Sequence, residues 1–226
     1  MGVQDMEIVP PVELQPRNTP VQERAKLTLQ KILDATAELL DNEGHENLTT
    51  NRVAERSGVN IATIYHYFPN KEALLHALAQ QFAEQQQEQL DAIYARRAET
   101  DWRDTVDKLN DAVFEFNRTV KGAAAVSRAM QSNATLRQID YERDARQSEF
   151  IATLLAELGI KGSATELQTK ALVLLQIGTA VVDHALMWYP EMAAALADEL
   201  KRMQKQYIAY YIEQSAEDSS FGDTAD

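Results

Sequence analysis

The stretch NLTTNRVAERSGVNIATIYHYFPNKEALLHAL, residues 47–78, decides the fold. Thr49 has the short hydroxyl side chain that caps a helix N-terminus, which predicts a short helix from Thr50 to Arg56. Gly58 follows and accepts positive φ without a Cβ clash, so the chain turns there. Asn60 can cap the next helix, which ends near Tyr67 because Pro69 disfavours helical backbone at Phe68. Asn70 then caps a long helix beginning at Lys71. Two short helices joined by a tight glycine turn form a helix-turn-helix. Val53, Ala54, Ile64 and Phe68 fall on its inner side, with the small Ala54 where the helices must approach closely. Ile61, Ala62, Thr63, Tyr65 and His66 are left on the outer side of the second helix, as a recognition helix offers side chains to a DNA major groove.

Outward from this core, Leu29, Ile32, Leu33, Thr36, Ala37, Leu39 and Leu40 recur at helical spacing, and Gly44 stops that helix. These elements make an N-terminal three-helix DNA-binding domain over residues 21–70. Residues 1–20 carry Pro10, Pro11, Pro16 and Pro20 without apolar periodicity and read as a flexible arm. Downstream, helices are expected over about 71–98, 102–120, 123–131, 134–158, 164–189 and 191–215, broken at Thr100–Asp101, Lys121–Gly122, Gly159–Gly162 and Pro190. Residues 71–215 therefore form a helical bundle, residues 216–226 a disordered tail, and the fold class is all-α.

The net charge of −13 runs against a nucleic-acid binder, but its distribution softens the objection. Residues 17–80 hold seven basic and eight acidic side chains, so the excess acid lies elsewhere. Such a near-neutral domain binds DNA through the placement of its cations, with a modest salt dependence. No cysteine is present, which excludes thiolate metal sites and cysteine nucleophiles and fits a reducing cytoplasm. The apolar run Ala171–Leu186 is interrupted by Gln176, Thr179, Asp183 and His184 and reads as a buried helix. His45, His66, His76 and His184 show no metal-binding spacing, and no phosphate loop or nucleophile elbow occurs. The expectation is a non-enzyme with no cofactor and no metal.

The Thr49–Thr50 pair, the Val-Ala-x-x-Ser-Gly-Val turn, the Tyr65-x-Tyr67-Phe68 end and the Asn70-Lys-Glu-Ala-Leu-Leu start together resemble the TetR/AcrR family of bacterial regulators, over about residues 24–78. The resemblance implies that Thr50 and Asn51 start the first motif helix at the DNA surface. Ile61, Ala62, Thr63, Tyr65 and His66 would present the recognition face, and Tyr67 and Lys71 would touch phosphates. Arg17 and Arg24 are further candidate contacts, while Arg52 and Arg56 read equally as solvated surface cations. The recognition helix lacks the Arg and Lys that read guanine, whereas Asn51 and Asn60 suit adenine and Ile61 and Ala62 suit thymine methyls. A half-site leaning to A·T pairs is expected.

One such motif reads only a few base pairs, so a dyad of two copies on operator DNA is expected. The helices at about 164–189 and 191–215 are the natural homodimer element. The resemblance also implies a small-molecule effector among the middle helices. Trp102, Phe114, Met130, Tyr141, Phe150, Asp183, His184, Met187 and Trp188 are candidate lining residues, the aromatics and Met reading equally as plain core. Asp183 and His184 need polar partners in an otherwise apolar helix. The resulting expectation is a repressor in a bacterial cytoplasm, released by an apolar or amphipathic effector. A helical interaction protein, or an activator-type regulator without an effector, is the competing reading.

Overall fold

A computed structural model describes residues 13–17, 22–132 and 134–222, apart from the side chains of 131–140, 142 and 218–222. Nine α-helices make up the described chain: α1 Glu23–Glu43, α2 Thr50–Ser57, α3 Ile61–Tyr67, α4 Lys71–Ala95, α5 Trp102–Thr119, α6 Ala123–Ser132, α7 Ala134–Glu157, α8 Ala164–Trp188 and α9 Ala193–Gly222. The all-α expectation is met, with breaks at the predicted places. The last helix runs seven residues past the expected end at 215, so residues 216–222 are helix rather than free tail. Residues 223–226 of the expected tail lie outside the described residues.

Two compact units divide at Leu78. The sequence reading put the boundary at residue 70. The first turns of α4 belong to the first unit because Ala73, Leu74, Leu75 and Leu78 are completely buried. They share that state with Ile32, Leu40, Leu48, Val53, Ile64 and Phe68 from α1, α2 and α3 and the segments beside them. Arg56 in α2 pairs with Glu38 in α1 at 2.6 Å, and Arg52 pairs with Glu43. Both cations thus tie α2 to α1 rather than standing free on the surface.

Part of the expected arm is attached. Residues 13–17 lie against the first unit through three hydrogen bonds: the Arg17 amide donates to the Tyr67 carbonyl at 2.9 Å, Asn70 Nδ2 donates to the Glu13 carbonyl at 3.0 Å, and His76 Nδ1 meets the Leu14 carbonyl at 2.9 Å. His76 is buried, so this strap covers a polar group that water would otherwise have to satisfy. Residues 1–12 and 18–20 of the arm lie outside the described residues. A chain beginning at residue 18 should be less stable than one beginning at residue 13 by about 1 kcal/mol for each lost bond. Denaturant unfolding of the two truncations measures that difference; equal midpoints would show the strap to be energetically idle.

The second unit is built around α8. Ser163 and Glu166 form a reciprocal capping box at its start, where the Ser163 amide and hydroxyl hold the Glu166 carboxylate below the usual carboxylate range. One core cluster gathers Val106, Leu155, Ile160, Ala171, Leu174 and Ile208; a second gathers Phe114, Val182, Ala185, Ala193, Ala197 and Leu200. A polar ladder ties α5 to α9: Asp107 with Lys205 at 2.7 Å, Asn110 with Gln204 at 2.7 Å, and Asp111 with Lys201 at 2.8 Å. Hydrogen bonds donated by Lys201 to Asp111 and then Asp198 push its pKa up to about 12.

Candidate nucleic-acid interface and internal cavity

In the first unit, α2 and α3 are joined through Gly58, whose φ of +67° only glycine adopts readily. Val53 of α2 and Ile64 of α3 are both fully buried. Thr49 Oγ1 accepts from the Arg52 amide at 3.3 Å, and Asn60 Oδ1 accepts from the Ala62 amide at 2.8 Å, so each helix is capped as its sequence demands. Across the motif, Thr50 Oγ1 and Tyr65 Oη share a hydrogen bond of 3.0 Å. This bond joins the start of α2 to the outer side of α3.

The outer side carries what the sequence placed there. Asn51, Asn60, Ala62, Tyr65 and His66 are exposed, while Thr50, Ile61, Thr63 and Lys71 are half-buried. Lys71 opens α4, whose N-terminal amides add partial positive charge. Asn70 caps that end by accepting from the Ala73 amide at 2.8 Å. One expectation differs from what the structure places. Tyr67 is only 8% exposed, with its ring edge-on to His66 and tilted against Phe68. It belongs to the packed side of α3, because its position follows Ile64 by one helical turn. Asn60 Oδ1 caps α3 through the Ala62 amide, and its second lone pair and Nδ2 are left over from that bond.

The second unit holds a partly open cavity of about 190 Å³. Phe82, Val113, Phe116, Leu154 and Val182 supply apolar wall, and Asn110, Asn117, Arg143, Gln147, Asp183 and Gln204 supply polar groups. Of the nine expected lining residues only Phe150 and Asp183 line it. Phe114 and Met130 are buried in the helical core, and Trp102 packs against the cluster around Val106. Tyr141, at 70% exposure, Met187 and Trp188 face outward, and His184 is exposed with Nδ1 on the Ala180 carbonyl at 2.9 Å. Asp183 is buried and accepts from Ser127 Oγ at 3.0 Å. Most of the other wall residues, such as Val113, Leu154, Asn110 and Gln204, look like ordinary core or surface until the helices are assembled.

Helix α8 is also not the buried helix expected. It is long and apolar enough to cross a membrane by length and composition, yet only 28% of its most apolar window is buried. Val173, Ala180, His184 and Met187 are exposed at helical spacing along one side, and Met203 and Tyr210 are exposed on α9.

Comparison with known proteins agrees with the geometry. The model of bacterial regulatory proteins of the tetR family matches residues 32–78, and the tetracycline repressor-like C-terminal domain model matches residues 100–211. The class C tetracycline repressor protein of Escherichia coli is 47% identical over 55 residues, which is 24% of this chain and 25% of that protein. This chain thus matches only about a quarter of the length of such curated relatives. The HTH-type transcriptional repressor KstR of Mycobacterium tuberculosis is 28% identical over 77% of this chain and 76% of its own length. Among solved structures, a TetR-family transcriptional regulator from Streptomyces coelicolor aligns with a TM-score of 0.61 and 26% identity, covering 81% of this chain and 99% of that one. With both of its units matched by models of one family, the chain belongs to the TetR family of bacterial regulatory proteins.

Proposed function

We propose that the protein is a DNA-binding transcriptional repressor that binds a palindromic operator as a homodimer in the bacterial cytoplasm and is released by a small apolar or amphipathic effector. The observation that carries the reading is the outer side of α3. A helix anchored by the fully buried Ile64 leaves Asn60, Ala62, Tyr65 and His66 exposed, with the α4 N-terminus and Lys71 following one tight turn later. That combination offers side chains for base edges and positive charge for phosphates. KstR and the tetracycline repressors are named as repressors, which favours repression over activation.

The exposed stripes on α8 and α9 support the homodimer. Apolar side chains at helical spacing on two neighbouring helices form a surface that a second copy can cover isologously. Ala180 lies in the middle of the α8 stripe. Ala180→Glu should leave the fold intact and lower the mass in light scattering from twice the 25.4 kDa chain to a single chain. A variant that still runs as two chains would place the contact elsewhere.

The cavity is the proposed effector site. An effector acts by favouring one of two states, and complete switching requires a difference of about 5.5 kcal/mol between its affinities for them. Selection from a random pool of duplex DNA tests the reading as a whole. The result expected is a palindrome bound by an even number of chains and released by a ligand that fills the cavity. A folded protein that enriches no sequence, even after refolding to strip bound ligand, would overturn it.

A further inference from the structure

Each bond that fastens residues 13–17 to the first unit uses a main-chain atom of that strap. The Arg17 amide donates to the Tyr67 carbonyl at 2.9 Å, while the Glu13 and Leu14 carbonyls meet Asn70 Nδ2 at 3.0 Å and His76 Nδ1 at 2.9 Å. The side chains of Glu13 and Arg17 take no part in those bonds. Asn70 acts twice, since its Oδ1 caps α4 through the Ala73 amide while its Nδ2 holds the strap. The strap thus keeps one place beside the end of α3 and the start of α4.

That place borders the reading surface. Tyr67 is the last residue of α3, and its carbonyl is one of those that a helix end leaves without an intrahelical partner. Seven residues make α3 about 10 Å long. A helix of that length lying in a major groove about 12 Å wide ends against the groove wall, where the phosphates run. The Arg17 backbone is hydrogen-bonded to that end, which brings the wall within reach of its exposed side chain.

The group now holding the guanidinium is Glu13. Arg17 Nε and Nη2 donate to its two carboxylate oxygens at 3.3 Å and 3.1 Å. Both side chains are exposed and both belong to the strap, so this pair ties no two elements together. Arg52 and Arg56 differ, because each is paired with a carboxylate of α1 and holds α2 in place. An exposed ion pair is worth little in water, and a phosphate offers the same guanidinium fork two oxygens of its own. Residues 17–80 are close to neutral, so each cation that reaches a phosphate counts.

We infer that Arg17 is a DNA-backbone contact: on binding, its guanidinium leaves Glu13 for an operator phosphate beside the end of α3, with the strap as its mount. This rests on the reading of α3 as the recognition helix. It adds a cation from outside the helix-turn-helix, and an acidic residue that competes with the DNA for it.

Fluorescence anisotropy of the full chain on the selected palindrome, over a salt series, tests the contact. Arg17→Gln should weaken binding about tenfold and lower the slope of log affinity against log salt by about one for each chain bound. Arg17→Lys keeps the charge and should keep the slope. Glu13→Gln should tighten binding by about twofold to fivefold in the natural chain and by nothing in the Arg17→Gln chain, because the acid acts through Arg17. These substitutions spare the main-chain bonds of the strap, and thermal unfolding checks that they do. The Glu13→Gln gain in the natural chain stands whether or not Arg17→Gln folds. Unaltered affinity and slope in a folded Arg17→Gln chain, no gain from Glu13→Gln, or an equal gain with and without Arg17 would overturn the proposal and leave the palindrome bound. A failure of the recognition reading looks different: the natural chain would select no palindrome, which overturns both.

Discussion

Phe68→Ala is expected to cost the first unit about 3–5 kcal/mol and to abolish DNA binding by unfolding it. Phe68 is fully buried and follows α3, where Pro69 keeps it in extended backbone with φ −124° and ψ 115°. Its amide closes α3 by donating to the Ile64 carbonyl at 2.7 Å, so backbone and side chain both hold the corner between α3 and α4. Truncation leaves a cavity in this buried interior beside the Tyr67 ring. Denaturant unfolding followed by circular dichroism measures the loss. A change below about 1 kcal/mol would mean that the corner is held by other contacts.

Tyr65→Ala is expected to do the opposite: to leave the unit folded and weaken operator affinity by about tenfold to a hundredfold. Tyr65 is 45% exposed, so its removal uncovers little core. Its hydroxyl is held by Thr50 at 3.0 Å, which presets the ring on the outer side of α3 before DNA arrives. A well-placed base contact contributes about 1–3 kcal/mol, which sets the size of the loss. Fluorescence anisotropy on the selected operator gives the affinity, and thermal unfolding gives the control. Unaltered affinity with unaltered stability would remove Tyr65 from the recognition surface. Comparing Phe68→Ala with Tyr65→Ala separates the residues that build the motif from those that use it, although the two side chains are three residues apart.

Most of this architecture is written in local sequence. Gly44, Gly58, Pro69, Gly122 and Pro190 end or separate helices through backbone sterics alone, and Thr49, Asn60, Asp101 and Ser163 cap helices through side-chain oxygens. Such signals need only a few neighbouring residues. Features that depend on distant partners were not legible. Residues 13–17 carry a proline and no apolar period, and nothing near them announces that Leu14 meets His76, 62 positions away. The length of α9 was missed because its end is polar, although Gln214, Ala216 and Glu217 are all compatible with helix.

The cavity was not legible for a different reason. Large aromatic and Met side chains are candidate ligand contacts that read equally as plain core, and size alone sends a side chain to the core, as with Met130, while others stay on the surface, as with Trp188. Asn110 and Asn117 line the cavity with amides held by hydrogen bonds. That depends on carbonyls four residues back along α5 and, for Asn110, on Gln204 from another helix. The same limit applies to Tyr67. Its residue type fits a phosphate contact, but its place one turn after Ile64 puts it on the packed side.

The central claim is that the outer side of α3 reads base sequence, and a change of specificity tests it most directly. Ala62 is exposed beside the capped start of α3, and the natural helix carries no Arg or Lys. Selection from a random duplex pool with the Ala62→Arg chain, run beside the wild type, should yield the same palindrome with guanine newly favoured at one symmetry-related position in each half, since arginine pairs bidentately with guanine. An unchanged consensus from a folded, DNA-binding Ala62→Arg chain would contradict the account and place sequence recognition outside α3.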